Sequence, residues 1–210
     1  MSANNVAIRG IRRRKSTISE IKIAVFGSEG VGKSALIVRF LTKRFIGEYD
    51  HQTENIYRSE LLLDGDPVLL EILDTCPNKE DPIPTEETIN WADGYMLVYS
   101  VTDRSSFDYV RNIRDHLYSL GLGGIPLMIL ANKKDLVHMR QVSCEEGEIL
   151  VKDSEDSFVE VAASEQVTQI TRVFYNLCHS VHTYRRRSKQ SLLDRMLGNK
   201  NHAKIEGGKK

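Results

Sequence analysis

The stretch Gly27-Ser28-Glu29-Gly30-Val31-Gly32-Lys33-Ser34 decides how this chain is read. A short apolar alternation, Ile21-Lys22-Ile23-Ala24-Val25-Phe26, precedes it, and a helical pattern, Ala35-Leu36-Ile37-Val38-Arg39-Phe40-Leu41, follows. A G-x-x-x-x-G-K-[ST] run carries meaning only in that setting, after a strand and at the start of a helix. Successive backbone N–H groups in such a turn converge on one concavity that cradles phosphate oxygens. The helix behind it aims its positive dipole end and its unpaired N–H groups at the same point. In this frame Gly27, Ser28, Glu29, Gly30, Val31 and Gly32 form the cradle. Lys33 reaches the β- and γ-phosphates, and the Ser34 hydroxyl ligates Mg²⁺. A glycine-rich turn with a chance lysine is the competing reading, and the flanking strand and helix argue against it.

Outward from this turn the chain alternates. The first helix is expected to run to about Lys43, followed by a loop through Phe45 to Thr53. Two strands, Ile56 to Leu63 and Val68 to Asp74, flank Asp64-Gly65-Asp66-Pro67 and read as a hairpin. Pro77, Pro82 and Pro84 then exclude one regular helix. Buried strands are expected at Tyr95 to Tyr99, Leu127 to Ala131 and Phe158 to Val161. Helices are expected from Ser105 to Leu120, from Ser143 onward, and from Val167 to Tyr184. Near-continuous apolar strands alternating with helices imply an α/β fold with a mostly parallel sheet covered on both faces. Ligands of such sheets sit beyond the carboxyl ends of the strands.

The 210 residues suit one domain with extensions, and the formal net charge of zero conceals an asymmetry. Residues 1–20 carry five Lys or Arg against one acid, and residues 184–210 nine against two. The intervening residues 21–183 hold a net charge of −11. An acidic core with basic extensions argues against nucleic acid as a partner. The basic extensions fit either solvated, disordered ends or contact with an anionic membrane surface. Three widely spaced cysteines, Cys76, Cys144 and Cys178, suggest a reduced intracellular chain. The start Met1-Ser2-Ala3 and the end Gly207-Gly208-Lys209-Lys210 match neither a myristoylation nor a prenylation signal. The expectation is a cytoplasmic monomer, peripheral at membranes through its basic tails if at all.

A second motif, Asn132-Lys133-Lys134-Asp135, comes directly after the strand ending at Ala131. The Asp135 carboxylate can accept from both the N1–H and the N2 amine of guanine, a donor pair that adenine lacks. The Lys133 stem can lie along the base, and Asn132 can tie this loop to the phosphate turn.

With both motifs in view, residues 21 to about 183 resemble a Ras-type small GTPase. The run Val38 to Tyr49 and the run Asn90-Trp91-Ala92-Asp93-Gly94 are most similar to the branch of the Ras-related and estrogen-regulated growth inhibitor and its "like" relatives. The resemblance implies a P-loop fold with a six-stranded sheet, GTP or GDP with Mg²⁺, and effector or regulator surfaces near residues 45–56 and 74–90. It puts Phe45 beside the base and the Ala163 N–H at guanine O6. Ser164 stands where the family's Ser-Ala-Lys motif has lysine, which weakens packing on the base.

The chain departs from the family pattern where hydrolysis is decided. The motif Asp-x-x-Gly-Gln reads Asp74-Thr75-Cys76-Pro77-Asn78. Asp74 can still hold Mg²⁺ through a water. Pro77 replaces the glycine whose N–H meets the γ-phosphate, and proline has no N–H. Asn78, at the water-positioning place of glutamine, is one methylene too short. The family's Mg²⁺-sensing threonine falls on Gln52, with Thr53 adjacent as a substitute metal ligand. Glu29 replaces a phosphate-turn glycine and either opposes the phosphates or turns out to solvent. The resulting expectation is an enzyme that hydrolyses GTP slowly at best, with Lys33 and a degenerate Asn78 as catalytic residues. A non-hydrolysing scaffold and a membrane-surface adaptor are the alternatives.

Overall fold

The computed structural model describes residues 18–45, 54–77, 83–165 and 167–206. One six-stranded sheet runs in the order β2-β3-β1-β4-β5-β6. Its strands are β1 (Ser19–Phe26), β2 (Asn55–Leu63), β3 (Asp66–Asp74), β4 (Gly94–Ser100), β5 (Leu127–Asn132) and β6 (Ser157–Glu160). β1 lies between β3 and β4, parallel to both, and the parallel set continues through β5 and β6. Only β2 is antiparallel, paired along its length with β3.

The helices are α1 (Lys33–Thr42), α2 (Glu86–Trp91), α3 (Arg104–Ser119), α4 (Cys144–Val151) and α5 (Val167–Glu206). They cover both faces of the sheet, which explains why β4 is buried at every residue rather than alternating. One core layer joins Leu36, Ile37 and Phe40 of α1 to Val173, Phe174 and Leu177 of α5, over Ile23, Val25 and Ile72. Phe40 and Phe174 stack there with centroids 4.3 Å apart. The other layer packs Phe107, Val110, Ile113 and Leu117 of α3 against Tyr95, Leu97 and Tyr99. The parallel strands end at Phe26, Asp74, Ser100, Asn132 and Glu160, so the loops that follow them share one edge.

Two expectations need correction. The β2–β3 turn consists of Asp64 and Gly65 alone, both at positive φ (53° and 89°), and Leu63 pairs with Asp66. A two-residue turn of that hand matches strand twist, so β3 starts before Pro67, which is tolerated near a strand's beginning. The last helix does not stop near Tyr184: its backbone continues to Glu206. Residues 185–206 contain no proline and are rich in Arg, Lys and Leu, all good helix formers. Arg185 also fastens the helix to the sheet, pairing with Asp93 and donating to the Glu20 carbonyl. The basic C-terminal segment is therefore helical rather than structureless over most of its length. The basic residues of the first seventeen positions lie outside the described residues.

Candidate functional site

The phosphate turn leaves β1 at Gly27 under steric pressure. A Cβ there would lie 2.3 Å from the Val98 carbonyl oxygen of β4. Gly32, at φ +98°, is held as tightly, since its Cβ would meet Asn132 Nδ2 at 2.4 Å. Gly32 is the N-cap of α1 and supplies no side-chain cap, and the first turn of α1 has no acidic residue. The N–H groups and the dipole at this helix start are thus left for an external anion.

Lys33 opens α1 and is 7% exposed. Its ammonium donates to the carbonyls of Gly27 at 2.8 Å and Ser28 at 3.0 Å. An ammonium has three donors, so one remains for a ligand. Burial lowers the Lys33 pKa, while the charges of Asp74, then Cys76 and Glu29, oppose that shift. Added phosphates would favour the charged form further. Glu29 is exposed, yet its charge acts on Lys33. Ser34 is buried, and the buried Ser28 hydroxyl has no hydrogen-bond partner.

Asp74, also buried, closes β3 on the same edge. The segment after it is pinned: the Thr75 hydroxyl and N–H both donate to the Val25 carbonyl, at 2.8 Å and 3.3 Å. This fixes the register that leads to Pro77. Phe45 is 46% exposed beyond α1. Asn78, Gln52 and Thr53 lie outside the described residues.

The second loop is built around Asn132, the last residue of β5 and 1% exposed. Its Nδ2 donates to the Val31 carbonyl of the phosphate turn at 2.8 Å. Its Oδ1 accepts from the Ala163 N–H at 3.1 Å. One amide therefore ties three loops together. The Ala163 N–H, implied as a contact for guanine O6, is occupied by Asn132 here and could reach a base only as a shared donor. Lys133 takes φ +64°, which turns the chain sharply and leaves Asp135 exposed at the rim. The Ser164 hydroxyl donates to Asp135 Oδ2 at 3.1 Å. Sequence reasoning treated Ser164 only as a missing lysine. The signal that was available is the hydroxyl itself, since Ala162 and Ala163 before it have none.

These features suit a phosphorylated ligand and its cation: a glycine cradle that side chains would fill, a buried ammonium with a donor to spare, and an uncapped helix start. Ser34 and Asp74, both buried at this edge, are the residues that could hold a cation beside such a ligand. The Ras family pattern matches residues 22–183. The chain belongs to the Ras family. It is 46% identical over 166 residues to the Ras-related and estrogen-regulated growth inhibitor of Bos taurus, covering 78% of this chain and 82% of that protein. It is 43% identical to Ras-like protein family member 11B of Danio rerio, over 75% of this chain and 68% of that protein. It is 41% identical to the Ras-related and estrogen-regulated growth inhibitor-like protein of Bos taurus, over 79% and 85% respectively. As a Ras-family member it is a small GTP-binding protein, and the branch to which its sequence pointed is among its relatives. No helix among the described residues is long and apolar enough to cross a membrane.

Proposed function

We propose that this Ras-family protein binds GTP and GDP with Mg²⁺ in intracellular signalling and hydrolyses GTP slowly at best. The observation that carries the reading is Pro77, three residues after Asp74 in a segment locked to β1. A backbone N–H to the γ-phosphate is unavailable there, which removes about 1.5–3 kcal/mol of contact specific to GTP. Asn78 follows, too short to orient a water from the same backbone place.

What is left for catalysis is electrostatic. Lys33 donates to the β- and γ-phosphate oxygens, and the N–H groups from Gly30 to Ser34 hold the β-phosphate. Bound Mg²⁺, on Ser34 and through water on Asp74 (with Thr53 a further candidate), would neutralise charge on the β- and γ-oxygens. Glu29 opposes this. Its carboxylate is exposed, so its repulsion of the phosphates would be weakened by solvent screening. Turned inward rather than to solvent, it would also fill the space where an activating partner inserts an arginine. Phe45, Lys133 and Asp135 would enclose the base, with Ala163 at its edge. Residues 45–56 and 74–90 would present the surfaces for effectors and regulators.

Single-turnover hydrolysis of GTP tests this. The wild type should turn over close to the spontaneous rate, and the double substitution Pro77→Gly/Asn78→Gln should raise the rate at least tenfold. A wild-type rate well above spontaneous, unchanged by the double substitution, overturns the reading.

A second reading rests on α5. Arg186, Arg187 and Lys189 are exposed on a helix that continues past the domain, a form suited to an anionic membrane surface.

A further inference from the structure

We propose that Ser164 is a specificity-determining residue: it holds the Asp135 carboxylate in the orientation that reads guanine. This rests on the nucleotide reading above and goes beyond it by naming what makes the base choice. Asp135 is exposed and ends a loop that has just turned through Lys133 at φ +64°. An exposed aspartate rotates freely about its side-chain bonds, and a carboxylate that must meet two donors of one base edge at once needs a fixed plane. The Ser164 hydroxyl, 3.1 Å from Oδ2, is the group that fixes it.

The hydroxyl is itself well anchored. The turn that carries it is closed by Glu165 N–H donating to the Ala162 carbonyl at 3.1 Å. Arg39 of α1 donates to the Glu165 carbonyl at 2.7 Å, and the Ala163 N–H is held by Asn132 at 3.1 Å. On the other side, Lys134 N–H donates to the Val161 carbonyl at 3.2 Å, fixing the Asp135 loop to the same segment. Donor and acceptor thus sit on two loops that are bonded to each other independently of their own contact. A carboxylate offers about four lone-pair directions. Ser164 uses one on Oδ2, leaving the others for the N1–H and the N2 amine of guanine. The residue that replaces the family's base-packing lysine thus sharpens the selectivity of the base site.

The test is a competition assay in which unlabelled GDP, IDP and ADP displace fluorescently labelled GDP from the full chain. IDP lacks only the N2 amine, and ADP lacks both donors while presenting the same phosphates. The wild type should rank GDP tightest, then IDP, then ADP. Ser164→Ala should weaken GDP about tenfold, the effect of freeing a charged acceptor from its hydrogen bond, weaken IDP less, and leave ADP unchanged. Ser164→Thr, which keeps the hydroxyl, should restore the wild-type ratios. If Ser164→Ala weakens all three nucleotides by one common factor, or none of them, Ser164 is structural and the proposal fails. If the wild type itself does not prefer GDP to ADP, the guanine-nucleotide reading fails instead.

Discussion

Asn132 does more for this site than any other single residue. It is buried, donates to Val31 and accepts from Ala163, so it joins the end of β5 to the phosphate turn and to the loop after β6. Replacing it leaves two buried backbone groups without partners, each costing about 1–3 kcal/mol. Asn132→Ala should therefore lower the denaturation midpoint and, because Gly32 packs against the same amide, weaken nucleotide binding as well. Chemical denaturation and a GDP titration of the same protein check both effects. A variant of unchanged stability would mean that these bonds are remade with water. Half of this arrangement was legible beforehand. The motif after a strand end suggested that Asn132 reaches the phosphate turn. Its hold on Ala163 could not be read, and the Ser164 hydroxyl was visible as a donor without naming Asp135 as its acceptor. Both depend on how closely β5 and β6 bring two loops together about thirty residues apart.

At the scale of elements, periodicity and turn chemistry carried most of the information. The parallel strands could be read because continuous apolar runs bounded by glycine or polar residues have few other uses in a chain of this length. Boundaries were less legible. The reach of α5 past Tyr184 left only a compositional trace, good helix formers without proline, while the contact of Arg185 with Asp93 and Glu20 left none. The β2–β3 hairpin shows a further layer. Its central pair, Arg58 opposite Glu71, sits where side chains on adjacent strands meet. The hydrogen bond from Arg58, more than the neighbouring charges, holds the Glu71 carboxyl below its ordinary pKa despite its burial. A depressed carboxylate pKa stabilises the fold fully above the unfolded value and loses that effect as pH falls through the folded value. Glu71→Gln should thus cost the most stability near neutral pH. The gap to wild type should begin to narrow as pH falls below the ordinary glutamate value of about 4.3, and should close only below the still lower folded value. Denaturation midpoints of both proteins from pH 7 to pH 3 check this. A gap that stays constant with pH would assign the cost to packing rather than to charge.

For the molecule as a whole, charge and shape are arranged separately. Residues 21–183 carry a net charge of −11, while the segment from 184 onward carries nine basic residues against two acids. α5 joins the two: it is core on the face that holds Val173, Phe174, Leu177 and Val181, and basic where it leaves the sheet. Near an anionic surface, each basic residue contributes about 1 kcal/mol within a Debye length, so exposed Arg186, Arg187 and Lys189 alone give roughly 3 kcal/mol. The acidic core is repelled by the same surface. On such a surface those opposite forces would turn the helix end toward the lipid and the rest away. Full-length protein should co-sediment with vesicles containing about one-third phosphatidylserine at low salt, should release as salt rises, and should ignore neutral phosphatidylcholine vesicles. A chain ending at Arg185 keeps the clamp to Asp93 while removing the rest of the basic helix, so it should remain folded and lose the binding. Retained binding by that shortened chain would move the contact to the basic N-terminal residues. Absence of binding by the full chain would leave the long helix without a lipid partner and sink the membrane reading.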